Sequence, residues 1–196
     1  MKRWKLREVV VLAALSVVFA VVYLAFLQFG NVLVGLMGPI GYEFIFGIWF
    51  IVSIIAAYII RKPGAAFVSE TITAAIELLM GNVAGPRLLL SGMIQGLGAE
   101  AVFAATGWQR YSTWVLVCAG MGSAVFSFVW GFFVSGYAAL HPGYVTAMFI
   151  LRLISGAVLA GLLGKGVADG LAKTGVLRGF AIAKSARKRE HHDIAG

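Results

Sequence analysis

The sequence predicts an all-α membrane protein, a bundle of six transmembrane helices with both termini in the cytoplasm. Of its 196 residues, 61% are hydrophobic and only 12% are charged, whereas soluble domains carry about 25% charged residues. The chain consists of apolar runs that are separated by short turns rich in Gly, Pro or basic residues. The lysines and arginines concentrate on one side of this arrangement, which is the charge bias of cytoplasmic loops.

Each apolar run is long enough to cross about 30 Å of hydrocarbon as a helix. We expect one domain over residues 1–180, followed by a basic cytoplasmic tail over residues 181–196. The predicted helices cover about residues 6–28, 42–60, 63–80, 87–106, 113–137 and 144–171.

The segment between the first two predicted helices, FGNVLVGLMGPIG at residues 29–41, has no charge, one proline and four glycines. Such a composition favours turns over a regular helix. We therefore predict an outer loop here that can fold back over the protein.

The formal net charge of +8 does not indicate a nucleic-acid groove, because the basic residues flank apolar runs. Fourteen of the sixteen Lys and Arg fall on the predicted cytoplasmic side, and Arg87 and Arg152 are the exceptions. The expected surroundings are therefore a lipid bilayer, with no nucleic acid as a partner. The single cysteine excludes a disulfide framework within the chain.

The stretch from residue 62 to residue 100 is apolar, yet it holds three carboxylates, Glu70, Glu77 and Glu100. A charge at the centre of a membrane costs roughly 3 kcal/mol on insertion scales. Glu70 and Glu77 are seven residues apart, which places them on nearly the same face of a helix. These acids predict a binding site for a cationic or strongly hydrogen-bonding small molecule.

Other polar and aromatic residues are predicted at a similar depth, in the outer half of the membrane. Aromatic rings can stack on a flat ligand, and near a cation each adds about 2 kcal/mol when desolvated. Gln95 and Glu100 lie about 140° apart around a helix, so they share a cavity only if it is wide. The candidate site residues beyond the three acids are Trp49, Trp130, Gln95, Glu43, Asn31 and Tyr42.

Structural roles are the alternative for several of these residues. Glu70 and Glu77 could form salt bridges with Arg152 between helices, although one arginine cannot pair several acids. An acid such as Glu43 at a helix amino terminus is favourable through the helix dipole alone. Trp49 and Trp130 could serve packing only.

Four motifs resemble the YkoE family of S components, the substrate-binding subunits of energy-coupling factor (ECF) transporters for thiamin or its hydroxymethylpyrimidine precursor. They are GPIGYEFIFGIWFI (38–51), AAYIIRKPGAA (56–66), the acids Glu70 and Glu77, and SGMIQGLGAE (91–100). The resemblance implies the six-helix S-component fold in a prokaryotic plasma membrane. It also implies a transmembrane coupling subunit and two ATPases as partners. The chain itself has no phosphate-binding loop.

The resemblance implies capture of thiamin, and thiamin suits the predicted site. Its thiazolium is a permanent cation, and its aminopyrimidine is a flat ring with amine and ring-nitrogen groups. Glu70, Glu77 and Glu100 would then accept from the amine and face the charge, with Trp49, Trp130 and Tyr42 against the rings. Gln95 and Asn31 would orient the ligand, and Glu43 would lie near the entrance.

Two alternatives of another kind remain at this point. Membrane acids also suit a solitary proton-coupled transporter of organic cations, but the two halves of the chain show no convincing repeat. An intramembrane enzyme would need a nucleophile–base pair or metal ligands. All three histidines fall in a turn or in the tail, so we expect no enzymatic activity in this chain.

Overall fold

The computed structural model describes residues 3–183, and within this range the chain forms helices joined by turns. Residues 184–196, most of the predicted basic tail, lie outside the described range. Short 3₁₀ segments, Phe46–Phe50 and Tyr137–Ala139, precede the third and the last helix. The helices are α1 (Leu6–Met37), α2 (Ile40–Glu43), α3 (Ile51–Ile60), α4 (Ala65–Leu79), α5 (Arg87–Ala105), α6 (Thr113–Val134) and α7 (Pro142–Lys173).

Four of these helices, α1, α5, α6 and α7, are long and apolar enough to cross a membrane. Two further helical stretches are apolar but shorter: α4 has 15 residues, and the other is the segment Phe46–Ile60. A full perpendicular span needs about 20 residues. The prediction of an all-α membrane protein is confirmed by these helices.

The predicted loop at residues 29–41 is wrong for most of its length, because α1 continues as a helix to Met37. Its glycines are compatible with a helix here. Gly30 lies against Tyr42, and a side chain at Gly30 would collide with the Tyr42 ring. The helix ends at Gly38, whose φ of 75° lies in the left-handed region that glycine tolerates. Pro39 follows and begins the turn into α2.

The predicted helix at residues 42–60 is regular only from Ile51 onward. Before that, a side chain of α7 binds backbone groups that a regular helix would pair internally. Ser155 Oγ accepts a hydrogen bond from the Gly47 amide at 2.9 Å and donates to the Phe44 carbonyl at 3.1 Å. The backbone can therefore depart from α-helical geometry at depth without leaving these polar groups unsatisfied.

Basic side chains hold the two ends of the described chain together through contacts with a carboxylate and with backbone carbonyls. Lys62 Nζ lies 2.6 Å from Glu8 Oε2 and donates to the Arg3 carbonyl at the same distance. Arg7 donates to the Gly179 carbonyl at 2.7 Å. The start of α1, the turn before α4 and the segment after α7 thus meet at one end of the bundle, called the amino-terminal end below.

Close helix contacts depend on glycines. On α6, Gly120 lies against α7 where that helix widens into a π-helical segment, Gly156–Leu163. A Cβ at Gly120 would collide with the Gly156 carbonyl oxygen. Small residues of this kind let two backbones approach inside a membrane.

This contact predicts that Gly120→Ala lowers the free energy of unfolding by about 1–3 kcal/mol, the usual cost of overpacking. Gly166→Ala on the partner helix α7 is the matched control, since within residues 3–183 no other part of the protein lies within 4 Å of its added Cβ, apart from the adjacent residues and backbone of α7 itself. The control should be neutral or stabilise by up to about 1 kcal/mol through helix propensity. Thermal unfolding in detergent measures both, and equal stability of the two variants would contradict the packing argument.

Candidate functional site

A cavity of about 450 Å³ lies between the helices, toward the end of the bundle opposite the amino-terminal end. Its walls come from α1, α2, α4, α5, α6 and α7, with both 3₁₀ segments and the turn after α4. Five aromatic residues and two carboxylates face it together with amides and hydroxyls. The polar and aromatic lining is Asn31, Tyr42, Phe46, Trp49, Glu70, Glu77, Asn82, Arg87, Ser91, Gln95, Ser127, Trp130, Ser135, Tyr137 and Arg152.

The two acids of α4 form one wall of the cavity. Glu70 is 1% exposed and Glu77 is 2% exposed. Tyr23 donates to Glu70 Oε2 at 3.5 Å, and the Asn82 amide donates to Glu77 Oε1 at 3.0 Å. Within residues 3–183 neither acid has a lysine or arginine within ion-pair distance. The cavity therefore presents two buried carboxylates whose hydrogen-bond donors are neutral.

Arg152 is not the partner of these acids. It binds Glu43 through two hydrogen bonds, from Nε at 2.5 Å and from Nη2 at 2.6 Å. Both residues are at most 1% exposed. The expected place of Glu43 near the entrance is corrected here, because Glu43 lies behind the cavity lining as the counter-ion of Arg152. The arginine itself reaches the cavity.

Glu100 also requires a correction, since it lies outside the cavity at the amino-terminal end. Its carboxylate accepts hydrogen bonds from the backbone amides of Gly64, Ala66 and Phe67, at 2.6–3.3 Å. These amides begin α4, where a helix has unpaired donors and its dipole favours an anion. The Trp108 indole donates to the same carboxylate at 2.7 Å. Glu100 thus stabilises the start of the helix that carries Glu70 and Glu77.

The aromatic wall of the cavity begins at Arg152. Its guanidinium lies 3.6 Å from the centre of the Phe46 ring, which is within the range of a cation–π contact. Phe46 packs against Trp49 at 5.7 Å between ring centres, and Trp49 packs against Tyr42 at 5.5 Å. The Tyr42 hydroxyl donates to Asn31 Oδ1 at 2.6 Å. This wall therefore runs as one connected layer from α7 to α1.

Residues of α5 and α6 form a further part of the cavity wall. Trp130 donates its indole N–H to Ser91 Oγ at 2.8 Å, which fixes the orientation of the ring. Gln95 is 9% exposed and lines the cavity, while its backbone carbonyl accepts from Ser123. The wide angle between Gln95 and Glu100 is thus resolved, because only Gln95 faces the cavity.

The structure therefore brings seven of the nine candidate site residues to one cavity, and Glu43 and Glu100 are not among them. Sequence reasoning missed Tyr23, Asn82, Ser91 and Tyr137. Asn82 could have been found from the sequence, since it is a polar residue in the short turn after α4, five positions after Glu77. Tyr23 carried none, because a single aromatic residue in an apolar helix is usually packing.

Comparisons with known proteins agree with this architecture. The family described as "ABC-type cobalt transport system, permease component" matches residues 7–126. A Bacillus subtilis (strain 168) protein that bears the name HMP/thiamine permease protein YkoE is 62% identical over 189 residues, 96% of this chain and 95% of that protein. The crystal structure of an S-component of an ECF transporter superposes with a TM-score of 0.95 at 60% identity, covering 98% of both chains.

The fold and the cavity define a multi-pass membrane protein of the S-component class, the substrate-binding subunits of ECF transporters. Within that class, the chain belongs to the YkoE family. The resemblance drawn from the four sequence motifs is thereby confirmed.

The buried Glu43–Arg152 pair gives a prediction for stability. Arg152→Gln leaves a carboxylate buried without a counter-ion and should cost about 3–5 kcal/mol. The double variant Glu43→Gln/Arg152→Gln removes both charges and should recover a large part of that loss. Thermal unfolding of the single and double variants measures the coupling, and additive losses would contradict a direct ion pair.

Proposed function

We propose that this chain captures thiamin in the cavity, as the substrate-binding subunit of an ATP-driven importer. The observation that carries the proposal is the pair of buried carboxylates, Glu70 and Glu77, which face aromatic rings and have no cationic partner within residues 3–183. Two acids of this kind favour a ligand that brings positive charge. The thiazolium of thiamin is a permanent cation.

The remaining lining supports the same ligand class. Trp49 and Trp130 both line the cavity, and each ring can stack on a flat heteroaromatic ligand. The pyrimidine amine can donate to a carboxylate on α4. Asn31 and Gln95 offer amide groups for ring nitrogens or a hydroxyl. A cavity of about 450 Å³ falls in the range of small-molecule sites, about 300–1,000 Å³.

Six crossings of a bacterial plasma membrane complete the proposal, with both termini in the cytoplasm. The charge bias supports this orientation, because fourteen of the sixteen Lys and Arg belong to the two ends of the chain and the turns on their side. The cavity then opens outward, as an importer requires. In this proposal ATP is hydrolysed by two partner ATPases, which act through a transmembrane coupling subunit.

Hydroxymethylpyrimidine is the second candidate ligand, favoured by the name of the relative that is 62% identical. Its ring would stack on the aromatic side chains of the cavity, and its amine would donate a hydrogen bond to one carboxylate. It carries no permanent cation, so it would leave the acidic wall less well compensated than thiamin does. We therefore expect thiamin to bind more tightly.

Binding and transport measurements test the assignment. Purified chain in detergent should bind thiamin by calorimetry and gain thermal stability, with a smaller gain from hydroxymethylpyrimidine and none from Co²⁺. Proteoliposomes should take up thiamin only when the coupling subunit, the ATPases and ATP are present. Uptake by this chain alone under a pH gradient, or no response to thiamin, would overturn the proposal.

Glu70 and Glu77 should differ from Glu100 in their effect on thiamin affinity. Glu70→Gln and Glu77→Gln each remove a charge that faces the ligand and should weaken thiamin binding by roughly 10- to 100-fold, since a hydrogen bond to a charged group contributes about 1.5–3 kcal/mol.

Glu100→Gln is the matched control, because it removes a carboxylate of α5 that binds the backbone amides at the start of α4. It should lower the thermal stability and leave thiamin affinity within about twofold, since its partners are backbone amides away from the cavity. A large loss of affinity in this variant would return Glu100 to the ligand site.

A further inference from the structure

Tyr23 of α1 lies directly behind the deeper acid of the cavity. Its side chain is 1% exposed and is among the largest fully buried side chains of the described chain. The hydroxyl makes two hydrogen bonds, one with the backbone amide of Val52 at 3.2 Å and one with Glu70 Oε2 at 3.5 Å. Tyr23 is not among the residues that line the cavity.

The direction of both hydrogen bonds follows from the groups involved. A backbone N–H can only donate, so the Tyr23 oxygen accepts from Val52. The hydroxyl has a single proton, and Glu70 is the acceptor that the structure offers for it. The carboxylate oxygen therefore receives a hydrogen bond from a neutral donor on the side away from the cavity.

Two further contacts hold the phenol ring in place. Val52 lies in the first turn of α3, where backbone amides have no acceptor within the helix. Its amide thus needs the Tyr23 oxygen and anchors it. The ring itself packs edge-on against Phe19, at 6.1 Å between ring centres. Tyr23 in this way joins α1, α3 and α4 at the floor of the cavity.

We propose that Tyr23 is a positioning residue for ligand binding, which holds the Glu70 carboxylate toward the positively charged part of the ligand. The inference rests on the proposed function, because it takes Glu70 as a ligand contact. A binding site gains affinity when its contact groups are held by a second layer before the ligand arrives.

A double-mutant cycle tests the coupling between the two residues. The dissociation constant of thiamin is measured by calorimetry for wild type, Tyr23→Phe, Glu70→Gln and the double variant. Tyr23→Phe should weaken binding about tenfold, the lower end for a hydrogen bond to a charged group. In the Glu70→Gln background the same change should have an effect of about twofold or less.

Tyr111→Phe is the matched control for loss of a buried hydroxyl. Tyr111 is 6% exposed, its ring stacks on Phe103, and its hydroxyl has no hydrogen-bond partner among residues 3–183. It is not part of the cavity lining. This variant should bind thiamin as wild type does.

Thermal unfolding without ligand separates positioning from stability. Tyr23→Phe removes the acceptor of the Val52 amide in both backgrounds, so it should lower the melting temperature in both. A positioning role predicts that the affinity loss, in contrast, nearly disappears when the Glu70 carboxylate is absent.

Equal affinity losses in both backgrounds, or no loss in Tyr23→Phe, would overturn the inference while Glu70 remained a ligand contact. If wild type fails to bind thiamin, the proposed function falls and the inference falls with it. If wild type binds thiamin and Glu70→Gln does so equally well, the site assignment and the role of Tyr23 are both overturned.

Discussion

The cost of placing a carboxylate away from water is the constraint on which this structure depends. Different carboxylates of the chain are stabilised by different kinds of partner. Glu43 has Arg152 as a bidentate counter-ion, and Glu100 accepts the free amides at the start of α4. Within the described part of the chain, Glu70 and Glu77 receive hydrogen bonds only from neutral groups, and they are the acids that face the cavity. The acids that the fold leaves least compensated are thus where a cationic ligand would be stabilised most.

The Glu43–Arg152 pair also explains why the aromatic wall can be irregular. Arg152 and Ser155 are three residues apart on α7, so they share one helix face. The first holds Glu43 and lies over Phe46, and the second binds the backbone at Phe44 and Gly47. Together they fix a stretch that is not a regular α-helix. Trp49 is carried by that stretch, so its position against the cavity depends on α7.

Composition and charge placement were sufficient to predict the all-α membrane class, because bilayer length and positive-inside bias act on long segments of sequence. Counting residues from the helix ends placed Gln95, Trp49 and Trp130 at one level, and the structure brings these side chains to one cavity. Tertiary contacts were beyond this reasoning. A regular helix over residues 42–60 was expected because Ser155, which binds its backbone, is more than a hundred residues away in sequence. Glycine content suggested a loop at residues 29–41, where Gly30 instead makes room for Tyr42.

The same limit explains why Tyr23 could not be found from the sequence. Its importance comes from two partners on other helices, the Val52 amide and the Glu70 carboxylate. The Val52 amide needs an acceptor only because α3 begins at Ile51 and not earlier. That late start follows from the irregular stretch that α7 holds in place. The stretch that Arg152 and Ser155 hold in place and the support of Glu70 by Tyr23 therefore meet at the first turn of α3.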